Sequence, residues 1–462
     1  MKRIAFLSFD WDYEIISEYY LGLWELSRQR DDVQVIIFNA FGYFYARTKP
    51  KESSFKIFSL CNLEDYDGVI VQGNRTWPPS YRQQIVDRAL ALGKPVVSIN
   101  YDLDGAHSVG TDNYHEEYEL VRRVLTDSGR RRPAFVSGLQ TSIESQDRER
   151  GFRDACVSLG MANGRVFPAN WQIEAGRAVV QRMLKSPQDL PDAIFCCNDD
   201  VAVGVQETLE AAGARVPDDV MVTGFDNRSV GKLATPRITT VDRDYRGIMS
   251  VAFDAVVRLI DGGEVPERVF SPARHVLTAS CGYASSSAHT VRQQATGADD
   301  DAIKHYYELL GDFQTSMLDA EELHSVLENC ERFARELDCP NTFVSLNESY
   351  LHPRQVGDSG SYGPTSCLVA RSGPALTLPC DANHVYTTFP TSALVPSEVV
   401  LDGCLYLVSP LRHNEDCVGM LVTEGIPSVM GHGFFVLFLN TLSASIDAVR
   451  TTQLLRNALG GG

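Results

Sequence analysis

Residues 192–226 read DAIFCCNDDVAVGVQETLEAAGARVPDDVMVTGFD. A short apolar run, Ala193 to Cys197, breaks into Asn198-Asp199-Asp200, and a helical pattern follows from Val201 to Ala212. A second apolar run, Val220 to Gly224, then breaks at Gly224-Phe225-Asp226. The order is strand, polar strand end, helix, strand, polar strand end. Parallel α/β sheets carry their ligand-binding groups at the carboxyl ends of the strands. Here polar residues fall at that end of both strands.

The same alternation extends in both directions. The sequence predicts strands at Ile4–Ser8, Val33–Phe38, Gly68–Gln72, Val96–Asn100 and Ala134–Ser137. Helices are expected over Glu14–Arg28, Tyr81–Leu92, His115–Ser128, Glu149–Leu159 and Glu174–Leu184. Regular strand–helix alternation implies parallel sheets joined by helical crossovers. Two such sheets, near 1–105 and 108–240, predict a two-lobed α/β clamshell over 1–283 with a cleft between the lobes. A helix within 244–265 is expected to return to the first lobe, and His275–Cys281 reads as a last short strand.

Residues 284–300, ASSSAHTVRQQATGADD, are small and polar and read as a linker. Beyond it, apolar spacing predicts helices over Asp301–Met317 and Ala320–Leu337. Strands follow at Thr342–Leu346, Cys367–Ala370, Cys404–Leu411 and Cys417–Thr423, with a polar hairpin turn at 412–416. A long amphipathic helix, Gly433–Leu459, ends the pattern with Phe438, Leu442, Ile446 and Val449 on one stripe. That stripe predicts a homodimer through the exit helix, the alternative being that it packs on its own sheet.

The bulk composition narrows the function. A net charge of −18 argues against nucleic-acid binding by this chain. Arg130-Arg131-Arg132 reads as a solvated turn before the next strand. No secretory h-region opens the chain, and no stretch approaches the roughly 18 unbroken apolar residues of a membrane span. Eleven cysteines, an odd number, suit free thiols in a reducing cytoplasm. No P-loop, serine triad, metal-ligand spacing or dinucleotide loop is present, so no cofactor, metal or catalytic residue is expected. Asp10 and Asp12 lie too close along the chain to define opposed catalytic carboxylates.

The stretches VGTDNYHEEYELVRRVL (109–125), DRERGFRDA (147–155), residues 194–226 and TPRITTVDRD (235–244) resemble the effector-binding core of lactose-repressor-type regulators, which has the type I periplasmic-binding-protein fold. The resemblance implies a ligand-binding role for Arg148, whose planar fork suits vicinal hydroxyls. It implies the same for Asn198 and Asp226 at the two strand ends, and for Trp171 as an aromatic face against a sugar. Competing readings are a helix-start arginine, a turn or cap role for Asp226, a helix cap at Asp199, and a core tryptophan. Tyr13, Gln72, Asn100 and Arg243 are further cleft-facing candidates. The first lobe departs from the family: Asp10-Trp11-Asp12-Tyr13 stands where a polar-Asn-Pro-Phe pattern is usual. Tyr406–Gly425 resembles the strand pair of a GAF-like α+β domain, which would occupy 301–459.

These readings converge on a cytoplasmic, non-enzymatic sensor without a DNA-binding headpiece. It would bind a small polar, sugar-like ligand and signal by hinge closure, through 284–320, to an output domain outside these residues. An enzyme acting on a small polar substrate, or a dimerisation scaffold with a dead cleft, are the alternatives.

Overall fold

The computed structural model describes residues 1–9, 12–42, 52–72, 79–161, 164–284, 304–351, 361–372, 386–428, 430 and 433–460. Asp10, Trp11 and nearly all of the expected linker lie outside the described residues. Along the chain run β1 (Lys2–Ser8), α1 (Tyr13–Ser27), β2 (Val33–Asn39), β3 (Gly68–Gln72), α2 (Pro79–Ala91), β4 (Val96–Ile99), β5 (His107–Gly110) and α3 (Asn113–Ser128). Then come β6 (Pro133–Ser137), α4 (Ile143–Ser158), β7 (Arg165–Pro168), α5 (Ile173–Met183), β8 (Ala193–Cys196), α6 (Asp199–Ala211), β9 (Met221–Thr223) and α7 (Ser229–Leu233). The crossover region holds β10 (Thr240–Asp242), α8 (Tyr245–Ile260), β11 (Arg268–Phe270) and β12 (Arg274–Val276). The last part holds α9 (304–318), α10 (Leu323–Arg335), β13 (Thr342–Asn347), α11 (Glu348–Leu351), β14 (Thr365–Ser372), β15 (Thr387–Pro390), β16 (Leu405–His413), β17 (Asp416–Glu424) and α12 (Phe434–Gly460).

Two compact units result: Met1–Val109 with Met249–Val269 and Ala295–Gly462, and Gly110–Ile248 with Phe270–Gln294. The second unit holds a four-stranded parallel sheet ordered β7-β6-β8-β9, plus the short antiparallel pair β10-β12. The expected strand over His275–Cys281 is only this pair's β12, which stops at Val276. Residues Ala279–Cys281 form a 3-10 turn instead, because Ser280 turns inward and its Oγ donates to the Val222 carbonyl at 2.6 Å. The Arg130–Arg132 run is a turn as expected: the Arg131 and Arg132 amides donate to Asp192, and Arg130 to the Asp218 carbonyl.

The first unit overturns the expected separation of 1–283 from 301–459. Its sheet has eleven strands ordered β11-β5-β4-β3-β1-β2-β16-β17-β13-β14-β15. The five strands on one side of the β2/β16 junction, β13 to β17, pair antiparallel among themselves. Strand β2 (VQVIIFN) is buried along its whole length. It pairs with β1 on one edge and, in parallel, with β16 on the other, Leu405 opposite Val35 through Val408 opposite Phe38. Gln34 Nε2 fixes the approach, donating to the Leu401 and Gly403 carbonyls at 2.9 Å each. A single apolar cluster spans the junction, from Ala5, Ile36 and Phe38 to Tyr406, Val408, Met420 and Val422. The 3-10 segment Glu52–Leu60 adds Phe55, Ile57 and Phe58 to it. An edge strand with two apolar faces is an aggregation template unless covered, and β16 covers it.

The exit-helix stripe is likewise turned inward, so the dimer expected from it loses its basis. Phe438, Leu442, Ile446 and Val449 are all buried. Phe438 stacks on Phe333 of α10 at 4.7 Å and lies 5.1 Å from Phe313 of α9. Residues 434–456 are long and apolar enough to cross a membrane by composition, yet this burial against α9, α10 and β16 accounts for their hydropathy.

Cutting the chain after Tyr283 removes β16 and about a third of the shared cluster. We expect the 1–283 fragment to self-associate and bind a hydrophobic dye, with a melting temperature well below that of the full chain. A monomeric, dye-silent fragment of unchanged melting temperature would show that the strand pairing is dispensable.

Candidate functional site

All four strands of the second unit's sheet end in residues that bear on one small region. Gly138 follows β6, Trp171 lies beyond β7, Asn198 follows β8 and Asp226 lies beyond β9. Helix α4 starts at its Ser142 cap, whose hydroxyl accepts from the Ser145 amide. This start puts Ser145, Arg148, Gly151, Phe152 and Ala155 on the buried face. Arg148 is therefore not a surface helix-start arginine; it is 1% exposed.

Its guanidinium is held from three sides. Nε donates to Asn113 Oδ1 at 2.9 Å, Nη1 to the Cys197 carbonyl at 2.5 Å, and Nη2 faces Asp226 Oδ1 at 3.5 Å. The Phe225 ring lies 3.7 Å from Cζ, a cation–π contact. Arg243 converges on the same carboxylate, with Nη1 3.6 Å from Asp226 Oδ1. It also donates to Glu144 Oε1 at 2.8 Å and to Thr111 Oγ1 at 3.1 Å. Asp226 has φ 98° and Asn227 φ 55°. Left-handed backbone at two consecutive non-glycine residues stores strain, and such strain concentrates at functional sites. Asp226 lies in the bend between β9 and α7 but is not the cap of α7, which begins at Ser229.

Asn198 takes the capping role expected of Asp199. Asn198 is the cap of α6, its Oδ1 accepting from the Val201 amide at 3.0 Å while Nδ2 donates to the Trp171 carbonyl at 3.0 Å. Asp199 is fully buried and accepts from the Arg228 amide and the Thr240 hydroxyl, both at 2.6 Å. Burial pushes its carboxyl well above the usual range. Glycines stand where any side chain would strike it: a Cβ on Gly224 would lie 2.2 Å from Asp199 Oδ1. Asp199 thus ties α6 to β10, whereas Asn198 orients the Trp171 backbone.

Trp171 is 7% exposed, and its ring reaches toward Gly138 and the Arg148 guanidinium, 5.6 Å away. Its indole Nε1 is buried with no hydrogen-bond partner, as is the nearby Ser145 hydroxyl. Sequence reading missed three further members: Asn113, Glu144 and Glu117. Glu144 precedes Arg148 by four residues and shares its helix face, a relation visible only once the helix is seen to start at Ile143. Glu117 occupies a core position of α3, in step with Leu120, Val121 and Val124. Both of its oxygens are buried and unpartnered. Burial pushes its pKa to about 8, against a downward pull from Arg148.

The remaining candidates belong to the first unit. Gln72 ends β3 buried, its Oε1 accepting from Ser8 Oγ at 2.5 Å. Asn100 follows β4 with φ 63° and donates to the Tyr19 hydroxyl at 3.0 Å. Asn39 ends β2 and donates to the Tyr20 hydroxyl at 2.7 Å. Tyr13 opens α1 and is 45% exposed, while Asp12 serves as the cap of that helix. Four parallel strands of this unit therefore also end in polar groups: Ser8, Asn39, Gln72 and Asn100.

Comparison with known proteins bears on the fold that carries these residues. Residues 123–281 match the family described as periplasmic binding protein-like domain. The chain is 28% identical over 202 residues to the probable HTH-type transcriptional repressor ExuR of Bacillus subtilis (43% of this chain, 59% of the relative). It is 30% identical over 161 residues to the HTH-type transcriptional repressor PurR of Vibrio vulnificus (34% of this chain, 48% of the relative). The chain thus spans about half to three-fifths of these curated relatives. A LacI transcriptional regulator from Rhodococcus superposes with a TM-score of 0.51 at 20% identity, covering 60% of this chain and 98% of that one. A CelR–cellobiose complex gives 0.50 at 22% identity, covering 61% of this chain and 84% of that one. These likenesses show the type I periplasmic-binding-protein-like fold with its parallel sheets. Residues 123–281 are thus similar to a periplasmic binding protein-like domain, and part of the chain is similar to transcriptional repressors.

Proposed function

We propose that this chain is a cytoplasmic, non-enzymatic regulatory sensor whose second unit binds a small, electrically neutral, hydroxyl-rich ligand such as a sugar. The observation that carries the proposal is the convergence of Arg148 and Arg243 on Asp226 beside the unsatisfied indole of Trp171. A buried donor without a partner costs about 1–3 kcal/mol, and a ligand hydroxyl at Trp171 Nε1 removes that cost. Asp226 accepts from hydroxyls, and Arg148 donates to vicinal oxygens. The site's charges balance, two guanidiniums (Arg148, Arg243) against two carboxylates (Asp226, Glu144). With Glu117 protonated near neutrality, an uncharged ligand leaves that balance intact. In this reading Asn198 acts by fixing Trp171, while Gln72, Asn100 and Tyr13 are candidates within the first unit.

The thiols suit a reducing cytoplasm: all ten described cysteines are free. Residues 301–459 are read as a GAF-like α+β element that passes the ligand state on to an output. If the chain is a homodimer, its contact in this region falls on the outward residues of α12, Leu437 and Leu455, rather than on the buried stripe. A ligand shifts such a protein only by its differential affinity for two states.

A thermal-shift screen of neutral sugars and polyols, nucleosides and sugar acids tests the reading. We expect saturable stabilisation by a neutral polyol without turnover; product formation would mark an enzyme instead. For the compound so found, Arg148→Ala and Asp226→Ala should each weaken binding by roughly 10- to 150-fold in calorimetry, the equivalent of a lost charge-assisted hydrogen bond. Full affinity in both variants would overturn the site.

Glu117 gives a separate pH test. Its folded pKa lies above the unfolded value, from 4.5 to about 8. Its stabilising contribution is therefore complete at low pH and is lost as pH rises toward 8. The neutral isostere in Glu117→Gln has no such slope. The melting temperature of the variant should gain on the wild type steadily between pH 5 and 8 and hold a constant lead above that. Parallel curves across that range would mean that Glu117 is ionised in the folded chain.

A further inference from the structure

The described residues contain one feature that ligand sensing by itself does not use: a strained corner just after β2, wedged against the exit helix. Asn39, the last residue of β2, is fully buried. Its Nδ2 is held by the Tyr20 hydroxyl, and its Oδ1 accepts from the Phe41 amide at 2.7 Å. That bond folds the chain back on itself and places Phe41 at φ 47°, a left-handed conformation unfavourable for a bulky side chain. The Ala40 amide donates to the Ser8 carbonyl at 2.9 Å and the Gly42 amide to the Phe9 carbonyl at 2.7 Å, so the corner is also pinned to the end of β1. Gly42 has no room for a side chain, because a Cβ there would lie 2.1 Å from the Phe9 ring.

The other side of the corner meets the C-terminal part of the chain. The Phe41 ring packs on Phe435, in the first turn of α12, at 5.7 Å. The Phe41 carbonyl accepts from Arg412 Nη2 at 3.3 Å. Arg412 lies on β16, just past the stretch paired with β2, and its own amide donates to Ser443 Oγ on α12 at 3.0 Å. Ser443 in turn donates to the Leu439 carbonyl at 2.7 Å. Burial lowers the pKa of Arg412, the cost of taking its cation out of water.

We infer that the Asn39–Gly42 corner, clasped by Arg412 and Phe435, is the element through which the polar strand ends of the first sheet act on the exit helix α12. Relaxing Phe41 to negative φ breaks its amide's bond to Asn39 and withdraws its ring from Phe435. This relaxed form is the second arrangement by which the corner would bias the start of α12. Signal transfer then runs through the strand pairing and this corner. The inference rests on the proposed sensing role, since it supplies that role with an output. Its physical content, energetic coupling between β2's end and α12, is tested without any ligand.

Hydrogen exchange on the full chain measures it. Asn39→Ala should speed exchange at residues 33–42 and, by a comparable factor of roughly tenfold, at residues 434–443. Amides of β14 should stay unchanged and serve as the reference for a folded chain. In an Arg412→Ala background the effect of Asn39→Ala on α12 should shrink severalfold, the non-additivity expected of residues sharing one network. If Asn39→Ala unfolds the whole chain, Tyr20→Phe removes only the hydroxyl that holds Asn39, and the same pattern is expected in milder form. Loosening confined to 33–42, or additive effects of the two substitutions, would overturn the inference. Coupling found in a chain that binds nothing in the thermal-shift screen would leave the corner standing and reject the sensing role alone.

Discussion

The rest of the first unit depends on the parallel pairing of β2 with β16. Strand β2 is apolar on both faces, as strands inside parallel sheets are, and such a strand cannot be left at a wet edge. The chain solves this with residues about 370 positions further on, where Leu405–Val408 complete its hydrogen-bond ladder. The antiparallel half must then come in close register too. A Cβ on Gly419 of β17 would lie 2.1 Å from the Ser345 carbonyl, so only glycine lets β17 approach β13 there. One core rather than two follows, with Tyr406 and Val408 as much part of the first lobe's packing as Ile36 and Phe38.

The second unit's site is governed by a different constraint, the cost of burying charge. Arg148 lies almost completely out of water, yet it is acceptable because Asn113, the Cys197 carbonyl, Asp226 and the Phe225 face replace its hydration. Glu117 lies close enough to feel that charge but has no donor of its own, so it keeps its proton. Asp199 meets the same burial with two good donors and becomes a structural tie. Two buried carboxyls, Glu117 on α3 and Asp199 on α6, thus serve two ends, and the difference lies in which donors their surroundings supply.

Much of this architecture was legible in the sequence, and the failures are instructive. The central strands and the crossover helices were readable to within a few residues, because apolar runs bounded by polar strand ends are a local signal. Arg148 and Asp226 were legible through the resemblance to lactose-repressor-type regulators, each standing near a glycine–phenylalanine pair that carries that resemblance. The start of α4 was not: its first six residues, Ile143–Arg148, carry little apolar periodicity, and the Ser142 cap was overlooked. Asn198 and Asp199 are adjacent polar residues, and no local rule says which one caps and which one is swallowed. The β2–β16 pairing left no mark at all, since strand partners distant in sequence are chosen by shape and burial, not by local pattern. The stripe on α12 was correctly found, but a stripe says only that something covers it. Here α9 and α10 do so with Phe313 and Phe333.

That last point bears on how such a chain carries a signal. A domain hung on a flexible tether feels a change elsewhere only weakly, because the tether absorbs it. A domain that shares a sheet has no such slack: any shift of β2 along its own axis strains the hydrogen bonds to β16 directly. Packed interiors resist continuous deformation, so strain of this kind is released at discrete, already unfavourable positions. The left-handed Phe41, between the end of β2 and the first turn of α12, is such a position. Sharing a sheet therefore does two things for this fold. It removes an exposed edge, and it makes the end of one strand mechanically continuous with the helix that leaves the domain.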